Sequence, residues 1–174
     1  LEFEKNLKKI SHKSNAFINK SFEVGLDLIK KIKTNKFING PIAKKSFLNK
    51  KYPGITEYIA EKSKVKKIAM LIYNKKLSVC PLTTHIPLKQ VSQKINSKNI
   101  YEKVNLINEF YKKYRGIKPR IAVLGLNPHC ESIDKFDEDE KIIKPSIKYL
   151  IKSGFNICGP LSADTIFLKK NRIK

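Results

Sequence analysis

Arg120-Ile121-Ala122-Val123-Leu124-Gly125-Leu126-Asn127-Pro128-His129 is the stretch that decides the fold class. After Arg120 it is apolar without alternation, the pattern of a strand buried on both faces of an α/β sheet. Asn127-Pro128 must end that strand, because proline cannot donate to a hydrogen-bond ladder. His129 therefore stands at the carboxyl end of a strand. Downstream, Pro145 opens a helix with Ile147, Leu150 and Ile151 at i, i+3, i+4 spacing and Gly154 as its stop, followed by a strand over 155–158 and the Gly159-Pro160 turn.

Upstream, Val104, Leu106, Ile107 and Phe110 form one face of a helix over 100–114 that Gly116 stops. Pro87 opens a shorter helix to about Ile95. Two β-rich blocks, 67–73 and 76–82, are separated by Asn74-Lys75 and predict a hairpin or adjacent strands. Nearer the start, Phe17, Val24, Leu28, Ile29 and Ile32 predict a helix over 14–33. A short strand over 36–39, a helical turn over 43–49 and a helix over 56–61 follow. This alternation indicates an α/β layered fold. No repeat, low-complexity segment or clean linker marks an internal boundary within 1–174, a length that fits one domain or a large piece of a two-domain enzyme.

The 174 residues carry 37 Lys or Arg against 15 Asp or Glu, a formal net charge of +22. Such a balance first suggests a nucleic-acid partner. Only Arg115, Arg120 and Arg172 are arginines, however, and nucleic-acid readers rely on guanidinium forks. With 34 lysines, 24 isoleucines and 14 asparagines, the composition is the one an A/T-rich genome favours, and the lysines are spread along the whole chain. A lysine-rich nucleic-acid-binding module is the rival class; no specific nucleic acid is expected. Cys80, Cys130 and Cys158 lack CxxC spacing, which argues against a disulfide framework or zinc knuckle and implies a reducing, cytoplasmic setting. No apolar run approaches the ~18 residues of a membrane span, and no signal-peptide pattern is present. The first residue is Leu1 and the last follow directly on an apolar block, so the chain reads as an excerpt of something longer.

Chemistry concentrates at few positions. His85 and His129 both follow β-type blocks, and ligands of α/β sheets bind outside the carboxyl ends of strands. Neutral imidazole is a common divalent-metal ligand, yet by spacing alone two such loop histidines are more often unrelated. His12 has no motif around it and reads as solvent-exposed. Glu131, Asp134, Asp137, Glu138, Asp139 and Glu140 could supply a ligand or orient an imidazole. Most of them read instead as negative charge placed before the helix at Pro145. Asp164, after a strand end and a Gly-Pro turn, is either an active-site acid or a helix N-cap. GxGxxG, GxxxxGK[ST] and a nucleophile elbow are all absent. Cys130, beside His129, is a poor candidate nucleophile.

Taken in order, Gly40-Pro41-Ile42-Ala43-Lys44, Gly54-Ile55-Thr56-Glu57, Thr84-His85-Ile86-Pro87-Leu88, Leu124-Gly125-Leu126-Asn127-Pro128-His129 and Gly159-Pro160-Leu161-Ser162-Ala163-Asp164-Thr165-Ile166-Phe167 resemble one family, the 4-hydroxythreonine-4-phosphate dehydrogenases of pyridoxal phosphate (vitamin B6) biosynthesis, or PdxA. The resemblance implies an isocitrate/isopropylmalate dehydrogenase-like layered fold, here incomplete at both ends and forming the central part of a two-subdomain enzyme. It implies a homodimer, a cleft between subdomains, NAD bound without a Rossmann motif, and a phosphorylated small-molecule substrate. It also implies a divalent metal ion, with Zn, Mg, Mn and Co not distinguished. His85 and His129 match two of the family's three metal-binding histidines; the third would follow soon after Lys174.

In the same way Thr56 matches a substrate-contacting position, Asp164 one that positions substrate, and Lys44 one suited to acid/base work or phosphate contact. The chain departs from the pattern at two places. Ile55 stands where the family usually has His, which removes a hydrogen-bond donor. Cys130-Glu131-Ser132-Ile133 replaces a glycine-rich loop. Either change could redirect the enzyme to another four-carbon acid phosphate. The implied reaction is oxidation by NAD with decarboxylation of the β-keto product. Lacking one metal ligand, the 174 residues are expected to be inactive alone.

Overall fold

A computed structural model describes residues 12–34, 36–49, 51–133 and 136–168, with side chains from residue 14 onward. Two expectations, on the His12 side chain and on Asp134, lie outside the described residues. The chain forms two compact units, 1–68 and 69–174.

Among the described residues, the first unit holds three helices, α1 (His12–Lys31), α2 (Lys44–Phe47) and α3 (Ile55–Lys62). They meet in a small core of Phe22, Leu48 and Tyr58, with Ile18, Phe47, Tyr52, Ile55 and Ile59 packed around it. Aromatic edges dominate: Tyr58 lies T-shaped against Phe22, Phe47 and Tyr52 at 5.1–5.3 Å between centroids. The Tyr58 hydroxyl donates to Asn19 Oδ1 at 2.6 Å, so its polar end is satisfied. The inward face of α1 therefore carries Ile18 and Phe22, one turn apart. Leu28 and Ile32, expected on the buried face, are 49% and 68% exposed, because they lie in and beyond the last turn of α1, away from this core. The strand expected at 36–39 is irregular, and Ile38 is 94% exposed. An extended segment becomes a strand only with a partner, and none is offered here among the described residues.

In the second unit the two β-rich blocks pair at a single antiparallel bridge, Ile72 with Val79, closed by two backbone hydrogen bonds of 2.8 and 3.0 Å. A 3₁₀ turn (Leu88–Gln90) leads into the one-turn helix α4 (Val91–Lys94). The long helix α5 (Ser97–Arg115) starts where the Asn96 side chain accepts the Asn99 N–H at 2.9 Å and stops at left-handed Gly116. Strand β1 (Ile121–Leu124) pairs in parallel with β2 (Ile157–Leu161), and α6 (Lys144–Lys152) lies between them in the chain. Helix formation begins before Pro145, in a π turn over Asp139–Ile143 that runs directly into α6.

The main core, Ile95, Ile100, Val104, Ile143, Ile147, Leu150 and Ile157, joins α5, α6 and one face of the sheet, to which Ile121 and Val123 contribute. Ala122 and Cys158, on the opposite face, are exposed. The uninterrupted apolar run thus corrects to a strand covered on one face among the described residues. Gly159, at φ +129°, lets the strands close: a Cβ there would stand 2.4 Å from the Val123 carbonyl oxygen.

Candidate functional site

Parallel pairing fixes where the loops emerge. Leu124 is in register with Leu161, and Gly125 N–H donates to Leu161 O at 3.0 Å, so both strands end at one level. The turn after β1 carries His129, and the turn after β2 carries Asp164. Their charges are felt across that gap. The Asp164 carboxyl is held below the usual carboxylate range, chiefly by the Ser162 hydroxyl that donates to it, and also by backbone N–H groups and the positive charge of His129. Both residues are exposed. Asp164 does not cap a helix among the described residues; it sits in a run of turns.

The His129 turn is a single 3₁₀ turn, Pro128–Cys130, closed by Cys130 N–H to Asn127 O at 3.1 Å. His129 (φ 57°) and Cys130 (φ 64°) are both left-handed, a conformation that costs a non-glycine residue about 1–2 kcal/mol. His85 shares it at φ 56°. Both histidines expected to bind metal are thus exposed, left-handed loop residues. Strained backbone of this kind clusters at functional sites. No group of three or more His, Cys, Asp and Glu able to hold a metal ion occurs among the described residues. Burial, and then the charge of Asp139, pushes the Cys130 thiol up, which leaves it a poor nucleophile.

Asp139, one of the acids that could orient an imidazole but that read mostly as negative charge before a helix, has a different place. It is fully buried, and its carboxylate turns back onto the strand end. Oδ1 accepts Leu126 N–H at 3.0 Å; Oδ2 accepts Asn127 N–H at 2.9 Å and the Asn127 side-chain amide at 3.1 Å. Gly125 makes room, since a Cβ there would lie 2.7 Å from Cys130 Sγ and 3.0 Å from Asp139 Oδ1. Asp137, also buried, does answer to the helix-start reading. It accepts the N–H groups of Asp139 and Glu140, and that of Ser132 at 2.8 Å. These donors hold its carboxyl below the usual range. In sequence the only signal was a run of four acids ten residues after Asn127.

The other candidates lie in the first unit. Thr56 is in the first turn of α3, whose N-cap is extended Gly54. Ile55, partly buried, packs against the Phe22–Leu48–Tyr58 core. Lys44 opens α2 and is exposed. A cleft of about 280 Å³ lies in the same unit, lined in part by Phe22, Phe37, Asn39, Gly40, Pro41 and Ile42, and so includes the Gly-Pro-Ile block.

The family model for the pyridoxal phosphate biosynthetic protein PdxA matches residues 1–174. The chain belongs to the PdxA family. Among curated PdxA relatives, the 4-hydroxythreonine-4-phosphate dehydrogenase of Sulfurihydrogenibium sp. (strain YO3AOP1) is 43% identical over 152 residues, 85% of this chain and 46% of that protein. The D-threonate 4-phosphate dehydrogenase of Pectobacterium atrosepticum is 34% identical over 119 residues, 68% of this chain and 36% of that protein. The crystal structure of 4-hydroxythreonine-4-phosphate dehydrogenase from Klebsiella pneumoniae superposes with a TM-score of 0.81 at 26% identity, covering 94% of this chain and 51% of that one. The chain thus spans less than half the length of these curated relatives, and its α/β fold is that of PdxA structures. No helix among the described residues is long and apolar enough to cross a membrane.

Proposed function

We propose that the intact protein oxidises 4-hydroxythreonine 4-phosphate with NAD, in a metal-dependent, decarboxylating reaction of pyridoxal phosphate biosynthesis. The observation that carries this reading is the turn holding His129 beside Asp164 at the ends of β1 and β2, in a chain of the PdxA family. The isocitrate/isopropylmalate dehydrogenase-like layering, the homodimer and the cytoplasmic location belong to the same reading.

Imidazole nitrogens suit a divalent cation such as Zn²⁺, Mn²⁺ or Co²⁺, with Mg²⁺ favouring oxygen donors. His85 and His129 would hold it, and a third donor comes from outside the described residues. When bound, the cation acts as a Lewis acid toward the substrate hydroxyl, and NAD takes the hydride. The chain's own part is positional. His85 and His129 present their imidazoles from left-handed turns. Asp164, its carboxyl held low, stays ionised at neutral pH and orients substrate. The Thr56 hydroxyl makes a substrate contact, and the Lys44 ammonium suits the phosphate or a proton transfer.

Ile55 supports a second reading. It packs into an apolar core and offers no hydrogen bond where the family usually has His. One curated relative is named for D-threonate 4-phosphate. Steady-state kinetics of the intact protein with NAD and each substrate distinguishes the two. We expect a kcat/KM at least tenfold higher with 4-hydroxythreonine 4-phosphate, abolished by a chelator and restored by divalent metal. The reverse preference selects the second reading, and chelator-resistant activity rejects the metal assignment. The isolated 174 residues should be inactive and should bind nucleic acid only weakly, in a salt-erased manner.

A further inference from the structure

The His129 turn is strained, exposed and short, yet it is pinned from below at both ends. Leu126 and Asn127, just before it, are held by Asp139 through three hydrogen bonds of 2.9–3.1 Å. Ser132, just after it, is held by Asp137. Both carboxylates belong to the start of the helix that continues through Ile143, Ile147 and Leu150, all in the main core.

We propose that Asp139 is a positioning residue for His129, fixing through Leu126 and Asn127 the strand-end backbone from which the imidazole projects. This rests on reading His129 as a metal ligand. Four observations carry it. Asp139 is fully exposed to donors and not to water: its surface is wholly buried while three N–H groups converge on an acceptor-only side chain. The link spans 12–13 residues, so it ties two separate elements and does not merely close a local turn. Gly125 leaves the carboxylate room against the strand end. His129 and Cys130 are successive left-handed residues, and such backbone persists only where its surroundings over-determine it. Groups that orient a metal ligand from behind typically change metal affinity roughly 10- to 100-fold when lost.

The test uses the intact protein with Zn²⁺ alone as probe, its affinity measured by competition with a chromogenic chelator. Amide hydrogen exchange at Leu126 and Asn127 is followed in parallel. Asp139→Asn should weaken Zn²⁺ binding at least tenfold and speed exchange at both amides by a similar factor. Leu150→Val, in the same helix but away from the turn, should lower the melting temperature while leaving Zn²⁺ affinity within twofold. If Asp139→Asn binds Zn²⁺ like wild type, or if Leu150→Val weakens it equally, the positioning role is overturned. His129→Ala separates the two levels: unchanged affinity there rejects the metal reading and this proposal together. Loss in His129→Ala with retention in Asp139→Asn rejects the positioning role alone. Should Asp139→Asn fail to fold, Asn127→Ala removes one of the three bonds; a threefold or greater loss of affinity supports the proposal, and none overturns it.

Discussion

Gly125 and Cys130 stand so close that a single carbon added to the first would lie 2.7 Å from the sulfur of the second. The end of β1 and the turn that follows are packed without slack. Gly125→Ala should therefore destabilise the protein by about 1–3 kcal/mol, the usual cost of overpacking. Adding Cys130→Ala, which removes the nearest atom, should recover part of that loss in a double-mutant cycle read by denaturant unfolding. Full additivity of the two changes would mean that the contact is relieved elsewhere.

His129 pays a conformational penalty in its left-handed position. His129→Gly should raise stability by about 0.5–1 kcal/mol, the 1–2 kcal/mol of relieved strain less the extra entropy glycine loses on folding. It should abolish metal-dependent activity at the same time. Thermal melts and kinetics on one preparation check both, and a destabilised His129→Gly would show that the imidazole itself holds the turn together.

Asp137 sets a pH dependence with a definite sign. Its carboxyl is depressed in the folded state, first by the Ser132 N–H and then by those of Glu140 and Asp139. A depressed carboxylate contributes stability above its unfolded value, and that contribution disappears as pH falls through the folded one. Wild type should exceed Asp137→Asn in stability by a constant margin from neutral pH down to about pH 5, with the margin vanishing in stronger acid. A margin that grows on acidification would contradict the assignment.

Leu150 has no exposed surface and lies at the centre of the main core. Leu150→Ala should cost about 2–5 kcal/mol, whereas Ile151→Ala, one residue on and 51% exposed, should cost well under that. Urea midpoints give the comparison directly.

Much of this fold was legible residue by residue. The helix at 97–115 was readable because its stop at Gly116 is local chemistry, a left-handed position that glycine fills at little cost. The strand at 121–124 was readable too, although it ends at Leu124, short of the expected stop at Asn127-Pro128, and with it the placing of His129 in the turn after a strand. The strand expected at 36–39 failed because β structure is a property of pairs, and the inward face of α1 failed because it is chosen by what the helix meets.

What the sequence determined by itself was which segments could be regular, where they had to stop and which family the motifs belong to. Only tertiary structure decided which faces are buried, that the loops after β1 and β2 emerge side by side, and that Asp139 lies beneath Asn127 and not out in solvent. Each of these depends on the register between elements far apart in the chain, Leu124 with Leu161 and the π turn with the strand end. Local composition carries no record of that register, because four acids in a row look alike until a fold turns one of them inward.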